Sequence, residues 1–117
     1  MNANFWGPAA WIFFHSIAEN YPDKPTEEEK ESHKKFISLL PSILPCPHCR
    51  ESFAIYMDQF PPDPYLHSRD QFTFWLYQIH DIVNNKLERQ HGHKIKSPSY
   101  QKVRSYYSSK KIKRASK

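Results

Sequence analysis

"PSILPCPHCRESF", residues 41–53, holds both cysteines of the chain, Cys46 and Cys49, with only Pro47 and His48 between them. What surrounds that pair decides the fold. Upstream, Thr26 and Glu29 have capping-box spacing, and Phe36, Ile37, Leu40 and Leu44 follow on one face, so a helix runs toward the cysteines. Pro41 and Pro45 end or kink it. Cys46 then falls at the N-cap of the next helix and Pro47 at its first position. Cys49, Phe53 and Tyr56 form a stripe that places Cys49 on the buried side.

The pattern extends in both directions. Pro8 suits the first turn of an opening helix on which Trp11, Phe14, His15 and Ala18 keep helical spacing, and "YPDKP" (21–25) breaks it. Beyond the cysteines, "FPPDPYLHS" (60–68) reads as a stiff connector. Ser68 with Gln71 opens a long helix with Phe72, Trp75, Ile79, Val83 and Leu87 inward. "ERQHGHKIKSPS" (88–99) reads as a loop, after which Ser97-Pro98 starts a short last helix carrying Tyr100, Val103 and Tyr107. Eight Phe, seven Tyr and three Trp against two Gly suit helices packed around flat surfaces, not tight hairpins. The expected class is all-α, one domain over residues 1–107, followed by a basic, flexible tail over 108–117.

Charge is polarised. Residues 1–85 carry 6 Lys/Arg against 11 Asp/Glu, and residues 86–117 carry 11 against one. A basic third on an acidic body suits a polyanion such as phosphate, although "SSKKIKRASK" (108–117) also reads simply as a solvated end. No apolar run approaches the roughly 18 residues that span a bilayer. "MNANFWGPAAW" lacks the charged and apolar regions of a secretory signal, so none is expected.

Three chemistries compete for the cysteine pair. A zinc clasp needs two more ligands, and with no second CxxC only His91 and His93, beyond a whole helix, could serve. An inert structural disulfide closes too small a loop to stabilise much. Redox exchange fits the position: a thiol at a helix N-terminus meets the positive end of the dipole, and two sulfurs in one turn can join and part without moving the backbone. A thioredoxin-type fold is a poor frame for it, because the motif follows two helices and no alternating β-branched run appears. Two binding or exchange classes stay open: a zinc-holding module whose basic third grips nucleic acid, and a thiol-disulfide carrier that works without a cofactor.

Taken together, three blocks resemble the Erv/ALR family of FAD-dependent sulfhydryl oxidases, in the family's order. They are "WGPAAWIFFHSIAENYPDKPT" (6–26), "FISLLPSILPCPHC" (36–49) and "FTFWLYQIHDIVNNKL" (72–87), the last matching F-x-x-W-L…H-N-x-V-N-x-x-L. The resemblance covers about residues 5–89, with a fainter continuation to 107. It implies a four-helix bundle with a fifth short helix, FAD in the bundle mouth, and two chains pairing as a homodimer. Catalytic roles would fall to Cys46, which exchanges with substrate, and Cys49, which faces the flavin. Gly7, Trp11 and His15 would border FAD from the first helix and Trp75, His80, Val83 and Asn84 from the fourth. Lys86 and Arg89 would approach its pyrophosphate or ribose, and Tyr106 its adenine. No metal is implied. Electrons would pass from the thiols of a partner protein, such as a thioredoxin-like or glutaredoxin-like carrier, through the CxxC to FAD and then to O2, giving hydrogen peroxide.

The chain departs from the family pattern in two ways. Asp81 stands where the family has an amide, and a carboxylate near a diphosphate repels it unless it takes a ribose hydroxyl or a cation. The 117 residues also carry no second, shuttling cysteine pair. In this they resemble compact members encoded by large DNA viruses, which implies direct exchange with the partner's thiols. Host cytoplasm or virion is the expected setting, with the mitochondrial intermembrane space as the alternative. Nucleic acid is not an expected partner.

Overall fold

The computed structural model describes the backbone of residues 1–91 and 96–112, and the side chains of these except 88–91. In chain order it forms α1 (Ala3–Glu19), α2 (Glu27–Ile43), α3 (Pro47–Gln59), a 3-10 turn (Asp63–Tyr65), α4 (Arg69–His91) and α5 (Tyr100–Ser108). No strand occurs among the described residues, as the sequence leads one to expect. α1 packs on α4, α2 on α3, and α5 lies across α1 and α4.

Local chemistry sets most boundaries. The Thr26–Glu29 capping box is made in both directions, at 3.1 and 2.9 Å, and contributes about 1 kcal/mol. Cys46 caps α3 with Pro47 at its first position. The Ser68 hydroxyl accepts from the Gln71 N–H at 3.2 Å and starts α4.

Two starts differ from the sequence reading. α1 begins at Ala3, because the Asn2 side chain accepts from the Asn4 N–H at 2.9 Å, and Pro8 therefore sits inside the helix and costs it one rung. The last helix is capped by Ser99, whose hydroxyl accepts from the Lys102 N–H, and not by Ser97, whose hydroxyl is engaged elsewhere.

The core is Ile37 and Leu40 of α2, Phe53 of α3, and Phe72, Trp75, Leu76 and Ile79 of α4, closed by Ala18, Tyr21, Leu44 and Leu66. Full burial of a side chain such as Ile79 stabilises by about 1.5–3 kcal/mol. Val83 and Leu87, expected inward, are only half-buried. At 23 residues α4 outruns the 17 of α1 and the 13 of α3, so its last turns lack a full wall of neighbours.

α5 is strapped down by charge. Glu19, 4% exposed at the end of α1, accepts from Arg104 at 2.9 and 3.3 Å, and Lys111 lies 3.4 Å from the same carboxylate. Arg104 also reaches Asp70 at 2.8 Å, tying α1, α4 and α5 together. Within the segment 108–117, expected to be a flexible tail, Lys111 makes that contact, and residues 113–117 lie outside the described ones. No described helix is long and apolar enough to cross a membrane.

Candidate active site

At the N-terminus of α3 the two cysteines are present as thiols. The Cys49 N–H donates to the Cys46 sulfur at 3.3 Å, the capping bond that a helix start offers to an acceptor. The thiol of Cys46 titrates below its ordinary value, chiefly because the Cys49 thiol donates to it and then because the backbone N–H groups of Cys49 and His48 face it. Cys49 is pushed up to about 11, first by burial and then by Cys46, while the ammonium of Lys86 pulls the other way. Of the two thiols, Cys46, the outer sulfur, is therefore the one that ionises more readily, while Cys49 packs against the core.

A second feature opens where α5 and residues 96–99 close over α1 and α4. It is a cleft of about 340 Å³ lined by His15, Tyr77, His80, Asp81, Asn84, Ser97, Pro98, Lys102, Val103, Tyr106 and Tyr107. Its floor is a stack of rings: Trp11 lies on His80 at 3.8 Å and 7°, and Tyr107 on His15 at 5.0 Å and 17°. His15 Nε2 and His80 Nδ1 are 3.1 Å apart, one donating to the other. Both imidazoles are held neutral. Burial and then His80 lower His15 to about 4; burial lowers His80 to about 4 against the opposing pull of Asp81. Ser97 ties the rim, donating to Asp81 Oδ1 at 2.6 Å and accepting from Asn84 Nδ2 at 3.1 Å, and the Tyr77 hydroxyl donates to the Pro98 carbonyl at 2.6 Å.

The residues expected to hold a cofactor divide accordingly. His15, His80, Asn84 and Tyr106 line the cleft, and Trp11 joins them through its stack on His80. Trp75 does not reach it: the ring is 2% exposed in the core, and its indole N–H is spent on the Phe60 carbonyl at 2.8 Å. Lys86 lies away from the lining, its ammonium donating to the Ser52 hydroxyl on α3. Val83 and Gly7 are also outside the lining, and a Cβ at Gly7 would meet nothing within 4 Å. The Arg89 side chain and His93 lie outside the described residues, as does the His91 side chain.

Sequence reasoning missed Tyr77, Ser97, Pro98 and Lys102. One signal was available for Lys102, which stands four residues before Tyr106 and so shares its helical face. Nothing local marks Ser97, whose partners lie 13 and 16 residues away.

The sequence model of the Erv1 / Alr family matches residues 8–106. This chain belongs to the Erv1 / Alr family. Among its relatives, a protein of Acanthamoeba polyphaga mimivirus named as a probable FAD-linked sulfhydryl oxidase is 36% identical over 85 residues, 72% of this chain and 59% of that protein. The mitochondrial FAD-linked sulfhydryl oxidase ERV1 of Saccharomyces cerevisiae is 32% identical over 83 residues, 71% of this chain and 43% of its own length. The chain thus spans about half the length of these curated relatives. Among solved structures, the FAD binding domain of the Saccharomyces cerevisiae Erv1 superposes with a TM-score of 0.83 at 26% identity, over 93% of this chain and 96% of that one. The helical bundle described above is the fold of that domain.

Proposed function

We propose that this member of the Erv1 / Alr family is an FAD-dependent thiol oxidase that makes disulfides in partner proteins. The observation that carries the reading is the pairing of an exchange-ready dithiol with a ring-lined cleft on one bundle, joined by α4. His80 and Asn84 of the cleft and Lys86, whose charge acts on Cys49, lie within six residues on that helix, about 9 Å of axis.

The cleft suits part of a flavin dinucleotide. Its volume is at the low end for ligand pockets, its walls are flat rings, and two neutral imidazoles and an amide offer both donors and acceptors. Trp11, His15, His80, Asn84 and Tyr106 would hold the group, and Tyr77, Tyr107 and the positive charge of Lys102, which line the same cleft, would join them. Bound there, FAD supplies a two-electron acceptor whose reduced form O2 reoxidises, giving hydrogen peroxide.

The chain's own part is thiol exchange. A partner thiolate attacks Cys46 of the Cys46–Cys49 disulfide; a bond forms to Cys46, and the electron pair of the broken S–S bond leaves on Cys49. The partner's second thiolate then displaces Cys46, which leaves as the better stabilised thiolate of the pair. The partner departs oxidised, and the dithiol remains. Its accessible outer sulfur suits a dithiol protein of the thioredoxin-like or glutaredoxin-like kind. The neutral imidazoles and Trp11 order the cleft walls without adding charge.

The reading includes a homodimer. Phe5, Ile12 and Phe13 of α1 and Leu39 and Ile43 of α2 are more than half exposed, an apolar surface that a second copy would cover. It also includes a viral setting, host cytoplasm or virion, which the mimivirus relative favours; the name of the yeast relative favours mitochondria.

The test is direct. Purified protein should be yellow, lose its flavin absorbance when dithiothreitol is added under argon, regain it in air and release hydrogen peroxide. A colourless protein that exchanges disulfides but consumes no oxygen, even with FAD added, would instead be a flavin-free carrier and the oxidase reading would fail.

A further inference from the structure

The apolar stripe of α4 runs Phe72, Trp75, Leu76, Ile79 and Val83, and the next positions of that spacing are Lys86 and Leu87. A lysine there must either turn outward along its stem or aim its charge at something. It is aimed. Its ammonium donates to the hydroxyl of Ser52, three residues after Cys49 and on the same face of α3. Ser52 and Lys86 are both half-buried, and among the described residues no carboxylate pairs with Lys86. Among the described residues, then, the charge is not spent on a salt bridge.

The inner sulfur has few other charges around it. Its own helix end contributes Cys46; the guanidinium of Arg50 is turned to the Leu44 carbonyl at 2.7 Å. The α2 stretch that precedes the cysteines, residues 36–43, has no ionisable side chain. From α4 the charge that acts on Cys49 is Lys86.

We propose that Lys86 is a positioning residue for Cys49: its ammonium, tethered to Ser52, stabilises the negative charge that the inner sulfur takes up when the Cys46–Cys49 bond opens. This rests on the thiol-exchange reading above. When the partner thiolate bonds to Cys46, one S–S bond forms, one breaks, and the electron pair leaves on Cys49. A better stabilised leaving thiolate leaves faster. Burial opposes that charge, holding the Cys49 thiol up at about 11, and Lys86 is the group placed to counter it.

The experiment is alkylation of Cys49 by iodoacetamide as a function of pH, read by intact mass, in full-length Cys46→Ser protein with and without added FAD. Lys86, Lys86→Arg, Lys86→Met and Ser52→Ala versions are compared, each with a melting curve. Lys86→Met should move the alkylation midpoint up by about one pH unit and slow the reaction at neutral pH about fourfold, less than tenfold because the remaining thiolate is more nucleophilic. Lys86→Arg should restore the midpoint. Ser52→Ala, which keeps the charge but frees it, should move the midpoint the same way by less, and it decides the matter if Lys86→Met does not fold. Coincident midpoints in the Met and Ala variants, or an Arg variant that behaves like Met, would overturn the assignment. The oxidase reading fails separately: a colourless protein that still shows the Lys86-dependent midpoint loses the oxidase and keeps the lysine.

Discussion

The dithiol and the cleft, the two parts of the proposed site, are built in opposite ways. The dithiol is local: four consecutive residues, a proline at the first helical position and the helix's own N–H groups set its geometry and the low titration of Cys46. The cleft is assembled from afar. Its central hydrogen bond joins His15 to His80 across 65 residues, and its rim joins Asp81 and Asn84 of α4 to Ser97. One end can keep its chemistry while α5 comes loose. The other cannot exist without α5.

The largest expected effect falls on the local end. Cys49→Ser should take dithiol-driven oxygen consumption to background while leaving FAD retention and the melting curve close to those of the parent, because the cysteine contributes little to the cleft. Full oxidase activity in that variant would show that electrons do not pass through Cys49.

Next in size is a blow to the assembled end. Arg104→Met would strand the carboxylate of Glu19, buried and left with Lys111 alone, and removing one partner of a buried ion pair costs about 3–5 kcal/mol. For a domain of this size that lowers Tm by roughly 10–20 °C. FAD should dissociate more readily as Tyr106 and Tyr107 lose their backing, while the pH dependence of Cys46 alkylation stays put. If Cys46 reactivity moved as much as FAD release, the two ends would not be separable in this way.

Legibility in the sequence follows the same division. The helix order, the capping box of α2 and the proline at the start of α3 are written in neighbouring residues, and the structure has them where the sequence places them. Asn2 and Ser99 show the limit even of local signals: the sequence reading started the helices at Pro8 and Ser97, and the hydrogen bonds that cap them belong to Asn2 and Ser99 instead. Trp75 shows a different limit. Its helical position tells that it faces inward, not whether it reaches the cleft under α5; its indole N–H goes to the Phe60 carbonyl of the preceding connector, and the ring lines, with Trp11, a separate small apolar cavity. Lys86 is the converse, a charge on an apolar stripe whose target, Ser52, is 34 residues upstream.

Acid should single out the assembled end. His15 and His80 are both held near 4 in the fold and sit at their ordinary value, about 6.5, in the unfolded chain. Between those values the unfolded chain binds more protons, so stability rises with pH across the window and is lost as pH falls from about 6.5 toward 4. The melting temperature should drop through that range, with FAD release accompanying it. His80→Gln should start lower, having lost the stack on Trp11, and fall less steeply, having lost one of the two titrating groups. An equal slope in parent and variant would place the acid sensitivity elsewhere.

The smallest expected effect lies at Asp81, where the family has an amide. The carboxylate shares its cleft with Asn84 and Lys102, and one of its oxygens is already occupied by the Ser97 hydroxyl. Asp81→Asn keeps an oxygen for Ser97 to donate to, so the rim should hold and stability should change by no more than about 0.5 kcal/mol. What changes is the charge that a diphosphate bound in the cleft would meet. If Asp81 only repels, the Asn variant should bind FAD about fivefold more tightly at low ionic strength, a gain of about 1 kcal/mol, and the advantage should shrink as salt screens the cleft. If the free oxygen instead accepts a ribose hydroxyl, the Asn variant should bind no tighter and its affinity should be insensitive to salt. Titrating flavin fluorescence against both proteins at two salt concentrations separates a carboxylate that tunes affinity down from one that reads the sugar.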